Sequence, residues 1–593
     1  MSAGTPAGIA GAQIPTAHKR SPAETKRFAF FSSSLQEEWF FLILSIFIGI
    51  FSALAVICFR LAIDWGRLTL LGPTPEMAHI RMILAPVLVS LLVAVLVIHV
   101  FPTVRGSGVN QTKAALYIYN GFIPFRTGVG KLITSCLAIG SGQSLGPEDP
   151  SLQFGASFAS MLGRYLNLSR ERLRLIAPVG AAAGLAAAFN APISAVLFVI
   201  EEVIGRWSAG ILGSVVLSAV SSVVVVRFFL GSEPLFRIPA VAFIRPQELV
   251  AYAALGIVGG LAAVAFSRAI GAARSRLKAL PRWTQYIQPS LAGLVVGLIG
   301  YLGAPEVMGA GYSFMDQAMH NQYTWKVLAL LAGLKIIATT VSFVSGTPGG
   351  MFAPTLFVGA MLGGAVGGVE HVFFPGLTGS IGTYALVGMG VLFAGFLRVP
   401  MTSVFMVLEV SGNYSIIVPV IVANTIAYVI SRTLQPTPIF DVLTRQDGLD
   451  LPSMEEQREE QTLRVEDAMQ MSSDPILDSD KSVDDAVREA QQCDADVLLV
   501  RLRPSGWTSI GREMLKRFVS EGKGEMSLGS ALHSTRLPYL HPDLPLEAAL
   551  RYVYQYPLIP VVSRADFRKL EGLISREAVL NKYKVVSRTD AGD

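Results

Sequence analysis

Eight stretches without Asp, Glu, Lys or Arg, each long enough to cross a lipid bilayer, constrain this chain more than any other feature. They run from Trp39 to Phe59, Met82 to Val104, Ser208 to Val226, Leu249 to Ser267, Thr284 to Ala304, Ile336 to Val369, Val372 to Leu397 and Val410 to Ser431. A helix needs about 20 apolar residues to span the hydrocarbon core, and inside lipid each backbone polar group must be satisfied within the protein. The runs are continuous rather than alternating, so they predict helices and not a barrel. One such run could be a buried core helix; eight predict a multi-pass membrane protein in contact with a lipid bilayer.

Charge divides the chain. After Thr444, 46 of 149 residues are charged, against 45 of the preceding 444. This predicts a polar N-terminal tail at 1–35, a membrane domain at 36–444, a linker at 445–464 and a water-soluble tail. The polar start carries His18, Lys19, Arg20, Lys26 and Arg27 and shows no apolar stretch followed by a small-residue cleavage site, so no removable leader is expected. Basic residues ahead of the first span place both termini in the cytoplasm, with the plasma (inner) membrane as the expected location. Cys58, Cys136 and Cys493 have no paired spacing, so neither a disulfide frame nor a metal site is expected. Nothing in the pattern calls for nucleic acid.

The membrane part repeats itself. Pro102-Thr-Val104-Arg-Gly106-Ser107-Gly108 recurs as Pro305-Glu-Val307-Met-Gly309-Ala310-Gly311. The block from Ser141 through Gly146-Pro147-Glu148-Asp149-Pro150 to Gly155 recurs from Ser345 through Gly350-Met351-Phe352-Ala353-Pro354 to Gly359. Gly180, Pro192, Val196 and Glu201 recur as Gly388, Pro400, Val404 and Glu409. Three blocks in one order predict a duplicated unit, with halves near 36–230 and 246–444. In transporters such halves are often inverted across the membrane, with a binding site at their interface built from broken helices. Glycine-punctuated helix starts leave N–H groups unpaired and make anion sites without a fixed cation. For Gly155, Gly359, Gly363, Gly364, Gly367 and Gly368, close helix packing explains the glycine equally well.

Gly106-Ser107-Gly108-Val109, Gly146-Pro147-Glu148-Asp149-Pro150 and Gly349-Gly350-Met351-Phe352-Ala353-Pro354 resemble, in order and spacing, signature stretches of the CLC family of chloride channels and chloride/proton antiporters. The stretch from Gly180 to Asn190-Ala191-Pro192 and Ile200-Glu201-Glu202 is also similar to that family. The resemblance covers about residues 36 to 444. It implies an all-α polytopic fold with an inverted internal repeat, and a homodimer with one anion pathway per subunit.

By the same resemblance Ser107 coordinates the central anion, its alternative being a helix N-cap, while Met351 and Phe352 contribute backbone N–H groups. Glu148 would be the gate, competing with chloride as a carboxylate and yielding when protonated. Glu202 would be the inner proton acceptor; a helix-end charge paired with Arg206 is the alternative. Glu201 recurs as Glu409 whereas Glu202 becomes Val410, so Glu201 reads as scaffold and Glu202 as an addition. The chain departs from the family at Pro147 and Asp149, where a second acid alters the field around Glu148. It departs again at Phe440, which stands where the family has an anion-coordinating tyrosine.

Two similar units in the tail, 465–530 and 531–588, each read strand, helix, strand, helix and resemble a pair of α/β CBS domains. Nucleotide-binding versions have an acid near the start of the last helix; here Met514 and Ala578 stand there. A structural role is therefore as well founded as adenine-nucleotide sensing, and no other cofactor is expected. The resemblance implies a non-enzymatic transporter moving chloride and protons, with a passive chloride channel as the second reading. A cation transporter would need intramembrane acidic clusters, which the apolar spans lack.

Overall fold

The computed structural model describes residues 34–72, 79–205, 209–236, 246–375, 379–449, 451, 463–471, 475–493, 495–503, 506–532, 536–556 and 558–589. Nearly all of the 1–35 tail, Arg206 and most of the 445–464 linker lie outside them. The chain forms two units, 1–451 and 452–593.

The first unit is helical and built twice. The first half contains α1 (Ser34–Leu70), α2 (Arg81–Val95), α3 (Gly108–Tyr117), α4 (Phe125–Gly140), α5 (Glu148–Tyr165), α6 (Arg170–Phe189), α7 (Pro192–Phe198) and α8 (Ala209–Leu230). The second repeats the series as α9 (Glu248–Lys278), α10 (Gln288–Tyr301), α11 (Tyr312–Met319), α12 (Trp325–Val344), α13 (Phe352–Phe373), α14 (Ile381–Leu397), α15 (Pro400–Ser411) and α16 (Ile417–Leu434). A last short helix, α17 (Ile439–Gln446), follows. The duplication is therefore complete, helix for helix.

The halves meet head to head. Gly146 N–H donates to Gly350 C=O and Gly350 N–H to Gly146 C=O, both at 2.8 Å, in an antiparallel bridge. Residues at equivalent positions bonding each other in both directions is the local signature of an inverted repeat. The same reciprocity recurs at α7 and α15, each of which begins with a proline that has no N–H to offer. Glu201 accepts the N–H groups of Met401 (3.1 Å) and Thr402 (2.8 Å) and the Thr402 hydroxyl (2.7 Å). Glu409 in turn accepts those of Ile193 (2.9 Å) and Ser194 (2.7 Å) and the Ser194 hydroxyl (2.5 Å). Each half thus caps a helix start of the other, the scaffold role anticipated for Glu201.

Several spans differ from the apolar runs. The run from Ile336 to Val369 is two helices, because the turn at Ser345 to Met351, with Gly346 at φ +84°, separates α12 from α13. Val372 to Leu397 breaks likewise before α14, and Thr284 to Ala304 is a 3-10 turn followed by the short α10. Conversely, α6 and α7 lie in a further run without Asp, Glu, Lys or Arg, Leu175 to Ile200, beyond the eight, which Asn190 at φ +54° and the proline at the start of α7 break in two. Hydropathy registers length and polarity but not the backbone breaks that set helix ends.

The glycines settle as packing residues. A Cβ on Gly155 would strike the carbonyl of Gly180 and one on Gly180 that of Gly155, and the pair Gly359 and Gly388 behaves identically. Helices α5 and α6, and α13 and α14, thus cross backbone against backbone. Gly363, Gly364, Gly367 and Gly368 meet Tyr384, Leu328 and Trp325 in the same packing.

The membrane unit also extends past Thr444, correcting the expected boundary: Asp447 binds Arg274 (2.9 Å) and Lys278 (2.6 Å), and Leu451 is buried. Charge counting assigned these residues to water because an ion pair made across the fold is invisible to it.

The second unit has two small sheets among the described residues. One holds β1 (Leu477–Asp478), β2 (Val497–Arg501) and β3 (Trp507–Gly511) in that order, parallel and then antiparallel. The other holds an antiparallel β4 (Leu558–Val562) and β5 (Leu570–Ser575), with a parallel bridge from Leu540 to Val561. Each adds a strand to the expected order. Val465 and Ala468 pack in the core that holds Leu546, Ile559 and Ile574, so the start of the expected first unit contributes to the second. Met514 and Ala578 do stand in the first turns of the helices after β3 and β5.

A valine at Gly359 should destabilise the membrane unit by more than the about 1–3 kcal/mol typical of overpacking, because backbone opposes it. Alanine at Gly333, where a Cβ meets nothing within 4 Å, should not. Thermal unfolding of both variants in detergent checks this; equal melting would mean that α13 and α14 can separate freely.

Candidate functional site

Helix starts converge where the halves meet, and the expected residues Ser107, Glu148, Glu202, Met351, Phe352 and Phe440 are all buried there or beside it. Ser107 is the N-cap of α3, in extended conformation, with its hydroxyl accepting Val109 N–H at 3.2 Å. That is the capping role considered as its alternative. The same hydroxyl donates to Asp149 Oδ1 at 2.9 Å.

Glu148 opens α5, and its counterpart in the repeat, Phe352, opens α13. The Glu148 carboxylate accepts the Tyr312 hydroxyl and, at 3.4 Å, the N–H of Ala353. The carboxylate of the first half therefore lies on the helix start of the second. Met351 is the N-cap of α13 and Phe352 its first residue, where N–H groups have no partner within the helix. Together these N–H groups and the helix dipole form a donor set suited to a negative charge.

The Phe352 ring anchors an aromatic cluster. Phe198 lies 5.0 Å from it between centroids, Phe393 5.7 Å and Phe440 6.3 Å. Phe440 enters this cluster from the start of α17, and Asn110 of α3 donates to its carbonyl at 3.0 Å. Phe440 is thus tied by its backbone to the helix that Ser107 caps, while its ring offers no hydroxyl.

Glu202 sits in a π-helical turn, Val199–Ile204, that continues α7. Its partner is Lys113 of α3, at 2.8 Å, and the same ammonium reaches Asp441 of α17 at 3.2 Å. All three side chains are buried. A lysine reaching from another helix holds the glutamate; Arg206, the alternative partner, lies outside the described residues.

Reading the residues missed five members of this site: Tyr312, Lys113, Asp441 and the lysines Lys131 and Lys335. A site without a fixed cation was expected, yet Lys131 lies 3.5 Å from Asp149 and donates to the carbonyls of Val104 (3.2 Å) and Gly106 (2.5 Å). Lys335 donates to those of Val307 (2.9 Å) and Gly309 (2.8 Å). The two lysines recur at the spacing of the repeat, a signal that the sequence did contain. Tyr312 and Asp441 carried none. Among the described residues no group of three or more His, Cys, Asp or Glu side chains is placed to hold a metal ion.

Residues 89–432 match the voltage gated chloride channel family and residues 529–584 the CBS domain. Over 422 residues the chain is 32% identical to a putative chloride channel protein, ClcB-like, of Ralstonia nicotianae, covering 68% of this chain and 97% of that one. It is 33% identical over 349 residues to the H(+)/Cl(-) exchange transporter ClcA of Vibrio campbellii, covering 58% and 74%. Among solved structures, a slow cyanobacterial Cl-/H+ antiporter superposes with TM-score 0.64 at 26% identity, over 69% of this chain and 98% of that one. A eukaryotic CLC transporter shares the fold, with TM-score 0.61 at 20% identity over 91% and 97%.

Replacing Lys113 by Met leaves the Glu202 and Asp441 carboxylates buried without a counter-charge, and removing one partner of a buried ion set costs about 3–5 kcal/mol. Denaturation in detergent should show a loss of that order, recovered in large part by adding Asp441→Asn. A single variant as stable as wild type would mean that these carboxyl groups are already neutral.

Proposed function

Because the chain belongs to the voltage gated chloride channel family, we propose that it exchanges chloride for protons across a membrane, with Glu148 as the gate and Glu202 as the inner proton acceptor. The observation that carries this reading is the position of the Glu148 carboxylate. It occupies donors, the Tyr312 hydroxyl and the Ala353 N–H, at a helix start where a chloride ion would otherwise be drawn. A carboxylate and chloride compete for such donors, and protonation removes the carboxylate's claim. One group then couples the two fluxes. That the ClcA relative of Vibrio campbellii is described as an H(+)/Cl(-) exchange transporter and a solved neighbour as a Cl-/H+ antiporter supports the same reading.

Ser107 and the N–H groups of Met351 and Phe352 would hold the central anion. Phe440 supplies shape without a donor there, which weakens occupancy by about one hydrogen bond, net about 1 kcal/mol. Glu148 and Glu202 each stand opposite an apolar residue in the other half, Phe352 and Val410, so both are additions to a scaffold that does not need them. We place the protein in the plasma (inner) membrane as a homodimer with one pathway per subunit and both termini cytoplasmic. The tail units stabilise the dimer, with nucleotide binding as the alternative role. A passive channel is favoured by one observation: Glu202 is engaged by the Lys113 ammonium at 2.8 Å, a structural role that needs no proton transfer.

In vesicles holding a chloride gradient, the exchanger's reversal potential shifts with an imposed pH gradient, and a channel's does not. Glu148→Gln, imitating the protonated gate, should leave chloride flux independent of pH and carry no protons; continued proton pumping by this variant would remove Glu148 from the role of gate.

Glu202→Gln should stop proton movement while chloride flux continues. If proton transport survives at the wild-type ratio, Glu202 is only the counter-charge of Lys113.

A further inference from the structure

One buried acid at this site has no part in the reading above. Asp149, the second residue of α5, turns away from Glu148's donors and toward the start of α3. Its Oδ1 accepts the Ser107 hydroxyl at 2.9 Å and Val109 N–H at 3.3 Å, and both its oxygens accept Gly108 N–H at 2.9 Å. Lys131 Nζ stands 3.5 Å from Oδ2. A hydroxyl, two helix-start N–H groups and an ammonium converging on one point are the donor set of an anion site, and the anion in it is covalently part of the chain. The Ser107 hydroxyl has a single proton to donate, so it cannot serve Asp149 and a transported ion together.

The second half shows that the fold does not need this acid. Lys335 repeats Lys131, anchored on two loop carbonyls at equivalent positions, yet Ala353 stands where Asp149 would be. Among the described residues Lys335 has no ion-pair partner. Asp149 is an addition to the duplicated cradle.

We propose that Asp149 is a second internal competitor for the transported anion: it holds the Ser107 hydroxyl and the start of α3, and chloride gains that site only by displacing it. The proposal rests on the chloride-transport reading and deepens it. Consecutive residues of one helix then claim two donor sets, Glu148 that of α13 and Asp149 that of α3. Exchange of a carboxylate for chloride beside Lys131 leaves the local charge unchanged. Removal of the carboxylate alone leaves a buried ammonium unpaired, and chloride is then the ion available to neutralise it.

The test uses the full chain purified in detergent, titrated with sodium chloride in a calorimeter, and the same preparations in vesicles for radiochloride uptake. Asp149→Gly should raise chloride affinity by about tenfold or more, the factor expected when a charge-assisted hydrogen bond is no longer contested. Asp149→Asn keeps an acceptor for Gly108 N–H and so protects the fold if the glycine variant fails to assemble; it should show a gain of the same sign. Adding Ser107→Ala to Asp149→Asn should abolish that gain, which a merely structural cap would not produce. If the wild type carries chloride but the Asp149 variants bind it no more tightly, the proposal falls and the transport reading stands. If neither wild type nor variants carry or bind chloride, the transport reading falls and the proposal with it.

Discussion

A helix that begins inside an apolar body exposes N–H groups with nothing to bond and the positive end of its dipole, and much of this molecule is arranged around meeting that need. Four helix starts are answered by four carboxylates. Glu201 serves α15, Glu409 serves α7, Asp149 serves α3, and Glu148 reaches the start of α13 through Ala353. Three of the four come from the opposite half and the fourth, Asp149, from another helix of the same half. Satisfying backbone donors, an obligation of any membrane protein, here also locks the two halves together.

The same physics separates scaffold from function. Glu201 and Glu409 are reciprocal, each making two backbone bonds and one hydroxyl bond, and a bond set so complete leaves neither group free to act. Glu148 has a weaker hold on its helix start, one N–H at 3.4 Å and a tyrosine hydroxyl, and it has no acidic counterpart. Departures from the repeat therefore mark the chemistry, whereas adherence to it marks the framework. Asp149, Glu202 and Lys113 follow the same rule, facing Ala353, Val410 and Asp316 in the other half.

Around these groups the body is closely fitted. Backbone contacts at Gly155 with Gly180 and Gly359 with Gly388 bring α5 and α13 tightly against α6 and α14, and the aromatic cluster of Phe198, Phe352, Phe393 and Phe440 fills the space beside their starts. Helices held this way keep the donors fixed, so the parts with room to change are side chains, above all carboxylates at helix starts. A fixed set of amides with exchangeable anionic occupants is what selective passage of an anion requires.

Ser107, Glu148, Glu202, Met351, Phe352 and Phe440 were singled out through the resemblance to the CLC family; legible from the chain alone were the membrane class, the duplication and the helical, tail-bearing architecture. These depend on patterns that are local or that repeat at a fixed interval, which a linear reading detects. Where helices break was less legible, since α12 and α13 share one apolar run and α6 and α7 another, Leu175 to Ile200. What the tertiary structure alone decided is which charge meets which. Lys113 lies 89 residues from Glu202 and 328 from Asp441, Tyr312 lies 164 from Glu148, and Asp149 lies 42 from Ser107. A buried charge takes whichever partner the packing brings within about 3 Å, because leaving it unpaired in a low-dielectric interior costs several kcal/mol. That choice is made by the crossing of helices, and no spacing along the chain encodes it.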